Sequence, residues 1–144
     1  MRRHVPEETD QIIITPVPLH WTRIWSRSFN QSALIGKQLA ALTSIAFVPD
    51  ILVRRKRTPS MRGLNHKRRR QAVASAFAVH PKYKGTLKGR KIILIDDVLT
   101  TGATSDGCVA VLKRGGADWV QIFCWARALR GGGTQADAAT SLDA

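Results

Sequence analysis

Hydrophobic positions along the chain alternate between strand-type and helix-type patterns. Continuous apolar, β-branched runs predict buried strands, and apolar residues three or four positions apart predict helices. By these rules we predict strands over residues 11–17, 47–53, 91–95 and 120–125, and helices over residues 31–42, 67–76 and 103–114. Strands that alternate with helices predict an α/β fold with a mostly parallel sheet flanked by helices.

The length of 144 residues predicts one domain. We assign residues 1–10 to an N-terminal extension, 11–130 to the domain and 131–144, which are poor in apolar side chains, to a disordered tail. No apolar run approaches the roughly 20 residues of a membrane span, and the N-terminus lacks the apolar stretch of a signal peptide. Cys108 and Cys124 sit among apolar residues, which predicts buried, reduced thiols and a cytoplasmic protein.

Charge is distributed very unevenly. The chain has 23 basic and 10 acidic residues, a net charge of +13. Residues 51–90 contain 13 basic and no acidic side chains, so this segment alone accounts for the excess. Nucleic acid, a polyphosphate ligand and a membrane surface all remain open as partners of such a segment.

The strongest motif is the run Ile-Ile-Leu-Ile-Asp-Asp-Val-Leu-Thr-Thr-Gly-Ala-Thr at residues 92–104. A predicted strand ends in Asp96 and Asp97, and a turn containing Gly102 then opens a predicted helix. Amides at a helix N-terminus favour a phosphate, whereas paired carboxylates suit sugar hydroxyls or a divalent cation. The alternative is a structural turn in which Thr101 only caps the helix. The complete pattern favours a site for a phosphorylated sugar.

This motif resembles the phosphoribosyl pyrophosphate (PRPP) signature of type I phosphoribosyltransferases. Two further segments resemble the ComF family, which is associated with DNA uptake in competent bacteria. The first is Pro16-Val17-Pro18-Leu19-His20 with Arg23, Arg27 and Phe29-Asn30-Gln31, and the second includes Thr58-Pro59, Gly63-Leu64, Arg68-Arg69-Arg70 and Ala76-Phe77. The resemblance covers residues 12–129 and implies the type I phosphoribosyltransferase fold.

The resemblance also implies roles for individual residues. The PRPP-binding positions would be Asp96, Asp97, Val98, Leu99, Thr100, Thr101, Gly102, Ala103 and Thr104. Asp96 and Asp97 would hold the ribose hydroxyls, with Mg²⁺ bound through PRPP, and only Thr100 to Thr104 would wrap the 5′-phosphate. Val98 and Leu99 are PRPP-binding positions without a separate role. The pyrophosphate loop would be Val17, Pro18, Leu19 and His20. A mobile basic loop over the ligand would contain Arg54, Arg55, Lys56, Arg57 and Arg62.

Two functions follow as hypotheses. The first is Mg²⁺-PRPP binding, with transfer of ribosyl 5-phosphate to an unidentified nitrogen nucleophile if the protein is active. The second is a non-catalytic accessory of DNA uptake that binds single-stranded DNA through Arg68, Arg69 and Arg70. Partners would then be PRPP or a nucleotide, single-stranded DNA or competence proteins, with a homodimer left open. ComF proteins usually begin with a zinc-binding cysteine-rich module; its absence here predicts a shortened form.

Overall fold

A four-stranded sheet forms the centre of the fold. The structure is a computed structural model that describes residues 10–18, 30–55, 63–99 and 102–127. The strands of the sheet are β1 (Ile12–Pro16), β2 (Ala46–Phe47), β5 (Lys91–Leu99) and β6 (Trp119–Arg127), in the order β2-β1-β5-β6. All three pairings are parallel. The predicted α/β class with a mostly parallel sheet is confirmed.

Helices cover the two faces of this sheet, as the crossover connections of parallel strands require. Helix α1 (Gln31–Thr43) packs on β1, β2 and β5, while helix α3 (Ala103–Arg114) packs on β5 and β6 from the opposite face. Helix α2 (His66–Ser75) packs on α3. The predicted bounds of α1 and α3 agree with the structure to within one residue, because Asn30 caps one helix and Gly115 ends the other.

The hydrophobic core lies between β5 and α3. Ile92 and Leu94 of β5 and Leu112 of α3 are fully buried. Even-numbered residues of β5 point toward α3, and odd-numbered ones such as Ile95 point toward α1, because side chains alternate along a strand. The other buried members of this cluster are Val17, Ile51, Leu52, Val73, Ala76, Phe77, Leu87, Cys108, Val111 and Ala117.

A second, two-stranded sheet consists of β3 (Leu52–Arg54) and β4 (Phe77–Val79), paired antiparallel. The single strand predicted over residues 47–53 is therefore wrong. A turn at Pro49 and Asp50 separates β2 from β3, so that the run contributes to two different sheets. The Asp50 carboxylate fixes this turn by accepting a hydrogen bond of 2.6 Å from the Tyr83 hydroxyl.

Strand β5 is four residues longer than predicted, since the apolar run alone gave residues 91–95. Pairing with β6 continues as far as Leu99 opposite Arg127. Asp96 and Asp97 consequently belong to the strand itself and do not lie in the loop that follows it. In the part of the chain that the structure describes, none of the helices has the length and apolarity needed to cross a membrane.

Candidate ligand-binding site

The centre of the candidate site is the junction between β5 and the first turn of α3. Asp96 is only 9% exposed, and the Ser105 hydroxyl donates a hydrogen bond of 2.5 Å to its Oδ2 atom. Ser105 is fully buried on the inner side of α3. This bond therefore fixes the acidic end of the strand to the N-terminus of the helix.

The electrostatics of Asp96 favour a ligand that supplies positive charge or hydrogen-bond donors. Burial raises the pKa of the Asp96 carboxyl, and the neighbouring charge of Asp97 raises it further, while the Ser105 hydrogen bond acts in the opposite direction. The ionised carboxylate is thus costly in the unliganded protein. Hydroxyl donors or a cation at this point would stabilise the ionised Asp96 carboxylate, so the site favours binding of such groups.

The N-terminus of α3 has the geometry of an anion site. Gly102 occupies the N-cap position with φ of 76°, a left-handed conformation that glycine adopts without strain. Its carbonyl accepts the first helical hydrogen bond, 2.8 Å from the Asp106 amide, and within the described residues no side chain caps this terminus. Thr104 is exposed beside it. Thr100 and Thr101 lie outside the described residues.

The predicted pyrophosphate loop begins next to this junction. The Val17 amide donates a hydrogen bond of 2.8 Å to the carbonyl of Ile95, the residue before Asp96. The Val17 carbonyl accepts a bond of 3.3 Å from the Asn30 side chain, which also caps α1. Val17 and Pro18 therefore lie beside the acidic end of β5, whereas Leu19 and His20 are outside the described residues.

Arg54 contributes positive charge close to the inner side of α3. Its guanidinium carbon lies 5.2 Å from the centre of the Phe77 ring, and the side chain is half-buried at the end of β3. The pKa of the Cys108 thiol is raised to about 12, mainly by burial. The charge of Asp96 also raises this pKa, and the charge of Arg54 lowers it. Residue 54 thus belongs to a strand, although we predicted it as part of a mobile loop.

The rest of the predicted basic loop is only partly described. Arg55 is exposed directly after β3, and its amide donates a hydrogen bond of 2.7 Å to the Ala76 carbonyl. Lys56, Arg57 and Arg62 lie outside the described residues. Arg68, Arg69 and Arg70 are exposed on α2, whose N-terminus is capped by Asn65. The structure therefore places the three arginines of the DNA hypothesis on a helix.

Sequence reasoning missed Ser105 and gave Cys108 only a packing role. The signal for Ser105 was its position in the first turn of α3, three residues before Cys108 on the same buried face. Cys108 is confirmed as buried, whereas Cys124 is only half-buried. No group of three or more His, Cys, Asp or Glu side chains forms a metal site among the described residues.

The site nevertheless fits magnesium that is bound together with a phosphorylated ligand. Mg²⁺ prefers hard oxygen ligands and usually combines one or two carboxylates with substrate phosphates. Asp96 and Asp97 are two such carboxylates, close enough for one to raise the pKa of the other. These two carboxylates would hold the ion, which would supply positive charge to neutralise a phosphate.

Comparison with known proteins relates most of the chain to bacterial proteins named for competence and DNA utilization. Competence protein F of Haemophilus influenzae is 37% identical over 115 residues, which are 80% of this chain and 50% of that protein. DNA utilization protein YhgH of Escherichia coli O157:H7 is 33% identical over 116 residues, 81% of this chain and 49% of that protein. The chain thus spans about half the length of the curated relatives that it matches.

Comparison with solved structures gives alignments at low sequence identity. The crystal structure of a purine phosphoribosyltransferase from Pyrococcus horikoshii aligns with a TM-score of 0.48 at 20% identity, over 84% of this chain and 64% of that one. No protein-family model matches the chain.

Proposed function

On the premise that this chain is a ComF-type protein, a homologue of competence protein F and DNA utilization protein YhgH, we propose that it binds Mg²⁺-PRPP at the junction of β5 and α3. The observation that carries this proposal is the contact between Asp96 and Ser105, which joins a buried carboxylate to the N-terminus of a helix. A ribose 5-phosphate carries both hydroxyls and a phosphate, so one ligand would supply a partner to the carboxylate and to the helix N-terminus.

Each part of the site has a separate task in this proposal. Asp96 and Asp97 accept hydrogen bonds from the ribose hydroxyls, and the turn from Thr100 to Thr104 holds the 5′-phosphate on the amides of α3. The segment that begins at Val17 borders the pyrophosphate. Arg54 adds positive charge from β3, and the basic residues that follow it exclude water from the ligand.

We extend the proposal to transfer of the ribosyl 5-phosphate. The bond between C1 of the ribose and the pyrophosphate oxygen breaks, and its electron pair leaves with pyrophosphate. A nitrogen nucleophile forms the new bond to C1 and loses its proton to solvent. Because charge develops on the leaving group, positioning and charge neutralisation would supply most of the rate. Two free thiols, Cys108 and Cys124, support a reducing compartment, the cytoplasm, for this reaction.

Calorimetric titration of the purified protein with PRPP in the presence of Mg²⁺ tests the binding step. We expect Asp96→Asn to weaken binding at least 10-fold. Asp118→Asn is the matched control, because Asp118 is an exposed carboxylate directly before β6, at the amino-terminal end of the strands, whereas Asp96 lies toward the carboxyl end of β5. Absence of heat with the unaltered protein, or equal loss in both variants, would refute the proposal.

The second candidate function is binding of single-stranded DNA. The observation in its favour is that residues 66–70 of α2 are all exposed and that four of these five side chains are basic at neutral pH. Clustered arginines neutralise a phosphate backbone and make the affinity steeply dependent on salt. This function is compatible with PRPP binding, since Arg68, Arg69 and Arg70 are exposed on α2, whereas Asp96 and Asp97 belong to β5.

Fluorescence polarisation with a labelled single-stranded oligonucleotide tests this candidate. Substitution of Arg68, Arg69 and Arg70 by Ala should weaken binding and reduce its dependence on salt. Substitution of Lys82, Lys84 and Lys88 by Ala removes the same charge from exposed positions outside α2 and should have a smaller effect. Equal losses would show that only net charge matters and would rule out α2 as the binding element.

A further inference from the structure

A groove between α2 and α3 is a separate cavity from the β5 junction. Its volume is about 450 Å³, and each of the two helices contributes four residues to its lining. Sites for small molecules usually have volumes of about 300–1,000 Å³. None of the lining residues belongs to β5 or to the segment that begins at Val17. The groove therefore has the size of a ligand site that the proposed function does not use.

The apolar part of the lining consists of small side chains. Ala74 of α2 and Gly107 and Ala110 of α3 contribute it. The two helices are in direct contact at Gly107, because a Cβ atom there would lie 2.9 Å from Val73 Cγ1 and 3.3 Å from the Ala74 amide nitrogen. No side chain larger than a methyl group projects from these three positions. A flat ring can therefore approach the two helices closely and lie against them.

Two guanidinium groups border this apolar surface, one from each helix. Arg70 of α2 and Arg114 of α3 line the groove, and both side chains are exposed. In the part of the chain that the structure describes, no ion pair occupies either group. Arginine binds phosphate through paired, charge-assisted hydrogen bonds. Two arginines also match the double charge of a phosphate monoester better than the single charge of a carboxylate, so the groove favours a phosphorylated ligand.

The remaining polar groups of the lining suit the neutral part of such a ligand. Asp106 lies eight residues before Arg114 on α3, so the two positions are about 12 Å apart along the helix axis. The Asp106 carboxylate would repel a second phosphate, which disfavours a continuous phosphate backbone in the groove. An ionised carboxylate only accepts hydrogen bonds, whereas the amide of Gln71, which also lines the groove, donates and accepts them. Ribose hydroxyls and the edge of a base offer these partners.

We propose that the groove between α2 and α3 binds a free nucleoside monophosphate. The base lies against the small side chains of the lining, and the phosphate lies between Arg70 and Arg114. Asp106 accepts hydrogen bonds from the ribose hydroxyls or from an amino group of the base. An acidic peptide fits less well, because its further carboxylates would lie beside Asp106. The groove shares no residue with the β5 junction, so this inference holds whether or not the chain binds PRPP.

Calorimetric titration with AMP, in the absence of PRPP and Mg²⁺, tests the inference. We expect AMP to bind, and adenosine to bind at least 10-fold more weakly because it lacks the phosphate. Arg114→Ala should weaken AMP binding at least 10-fold, because it removes one of the two guanidinium groups. Arg68→Ala is the matched control and should retain the affinity, because Arg68 is exposed on α2 but does not line the groove.

A second variant keeps both guanidinium groups and fills the groove instead. Ala110→Leu places a larger apolar side chain over the surface where the base would lie, and it should also weaken AMP binding at least 10-fold. The fold should tolerate this change, because Ala110 is exposed on α3. Ala41→Leu is the matched control, since Ala41 is an exposed alanine of α1. Circular dichroism should show the same helix content in all of these variants.

Asp96→Asn distinguishes the groove from the β5 junction, where a nucleotide would also meet phosphate-binding amides. AMP bound in the groove should be retained by Asp96→Asn and lost in Ala110→Leu, and the reverse pattern would overturn the inference. So would the absence of binding by both AMP and UMP, or equal losses in Arg114→Ala and Arg68→Ala. A single-stranded oligonucleotide that binds more tightly than AMP and is weakened by Ala110→Leu would assign the groove to a nucleic-acid strand instead.

Discussion

The two faces of the central sheet are stabilised in different ways. On the α3 face, Ile92, Leu94 and Leu112 are fully buried. On the α1 side, Leu42 is 83% exposed and Trp125 is 77% exposed. The difference teaches that the α3 face is completed within the chain and also holds the buried carboxylate of the candidate site. On the α1 side, Ile95 is also fully buried, but the described residues leave apolar side chains such as Leu42 and Trp125 in solvent.

Two glycines show the same contrast at the level of single atoms. A Cβ atom at Gly107 of α3 would lie 2.9 Å from Val73 Cγ1 and 3.3 Å from the Ala74 amide nitrogen. A Cβ atom at Gly36 of α1 would lie 2.8 Å from Cε2 at the far end of the Phe47 ring. Backbone cannot move aside, whereas a half-exposed ring can. The α3 face is therefore the more tightly determined of the two.

Removal of a buried side chain should give the largest difference in stability between the two faces. Leu112→Ala should lower the free energy of unfolding by about 2–5 kcal/mol, because a fully buried leucine leaves a cavity. Leu42→Ala should change it by about 0.5 kcal/mol or less, as expected for an exposed position. Chemical denaturation of both variants at low protein concentration measures this. Similar losses would contradict the proposed difference between the faces.

Addition of one methyl group should give a smaller difference in stability between the two faces. Gly107→Ala should destabilise the fold by about 1–2 kcal/mol, because the clash with α2 exceeds the gain in helix propensity of roughly 1 kcal/mol. Gly36→Ala should be near neutral, because rotation of the Phe47 ring relieves the contact and the same gain remains. Thermal unfolding monitored by circular dichroism compares the two. A larger loss of stability for Gly36→Ala than for Gly107→Ala would mean that the α1 face is the more tightly packed of the two.

Local sequence patterns predicted the parts of the fold whose signals are themselves local. Helix α3 was bounded correctly because its apolar face and the Gly115-Gly116 stop are adjacent in sequence. The split at Pro49 and Asp50 and the existence of β4 were missed, since both depend on pairing with β3 or on contact with Tyr83. Only tertiary structure reveals which sheet a three-residue strand joins.

The candidate site likewise has one part that the sequence predicts and another part that only the tertiary structure reveals. The acidic pair and Gly102 stand in one continuous motif, so the sequence was sufficient to predict them. The Ser105 hydroxyl reaches the site from the first turn of α3 and was missed, because its contact with Asp96 depends on tertiary packing. Arg54 was predicted as a basic residue of a mobile loop, and only its position on strand β3 was missed. The length of β5 beyond Ile95 likewise follows from its pairing with β6.

The smallest predicted effect concerns the carboxylate on the α3 face. Burial and the charge of Asp97 raise the pKa of Asp96 above its unfolded value. The native state therefore takes up the proton first as the pH falls, and the cost of the charged group disappears as the pH passes down through the folded pKa. Asp96→Asn removes this cost and should stabilise the unliganded chain at pH 7, by about 1 kcal/mol or less.

The corresponding change on an exposed carboxylate supplies the comparison for this last effect. Asp118→Asn should leave the stability nearly unchanged across the same pH range, because Asp118 is exposed. Denaturation between pH 4 and 8 should show the gain of Asp96→Asn shrinking toward acid pH, as the native carboxyl of the unaltered protein becomes protonated. A gain that is constant with pH, or a loss at pH 7, would mean that the Asp96 charge is already compensated within the unliganded fold. In that case a ligand that contacts Asp96 would not increase the stability of the junction. A gain in stability that depends on pH would instead show that the ionised Asp96 carboxylate destabilises the unliganded fold, and a ligand could relieve that cost.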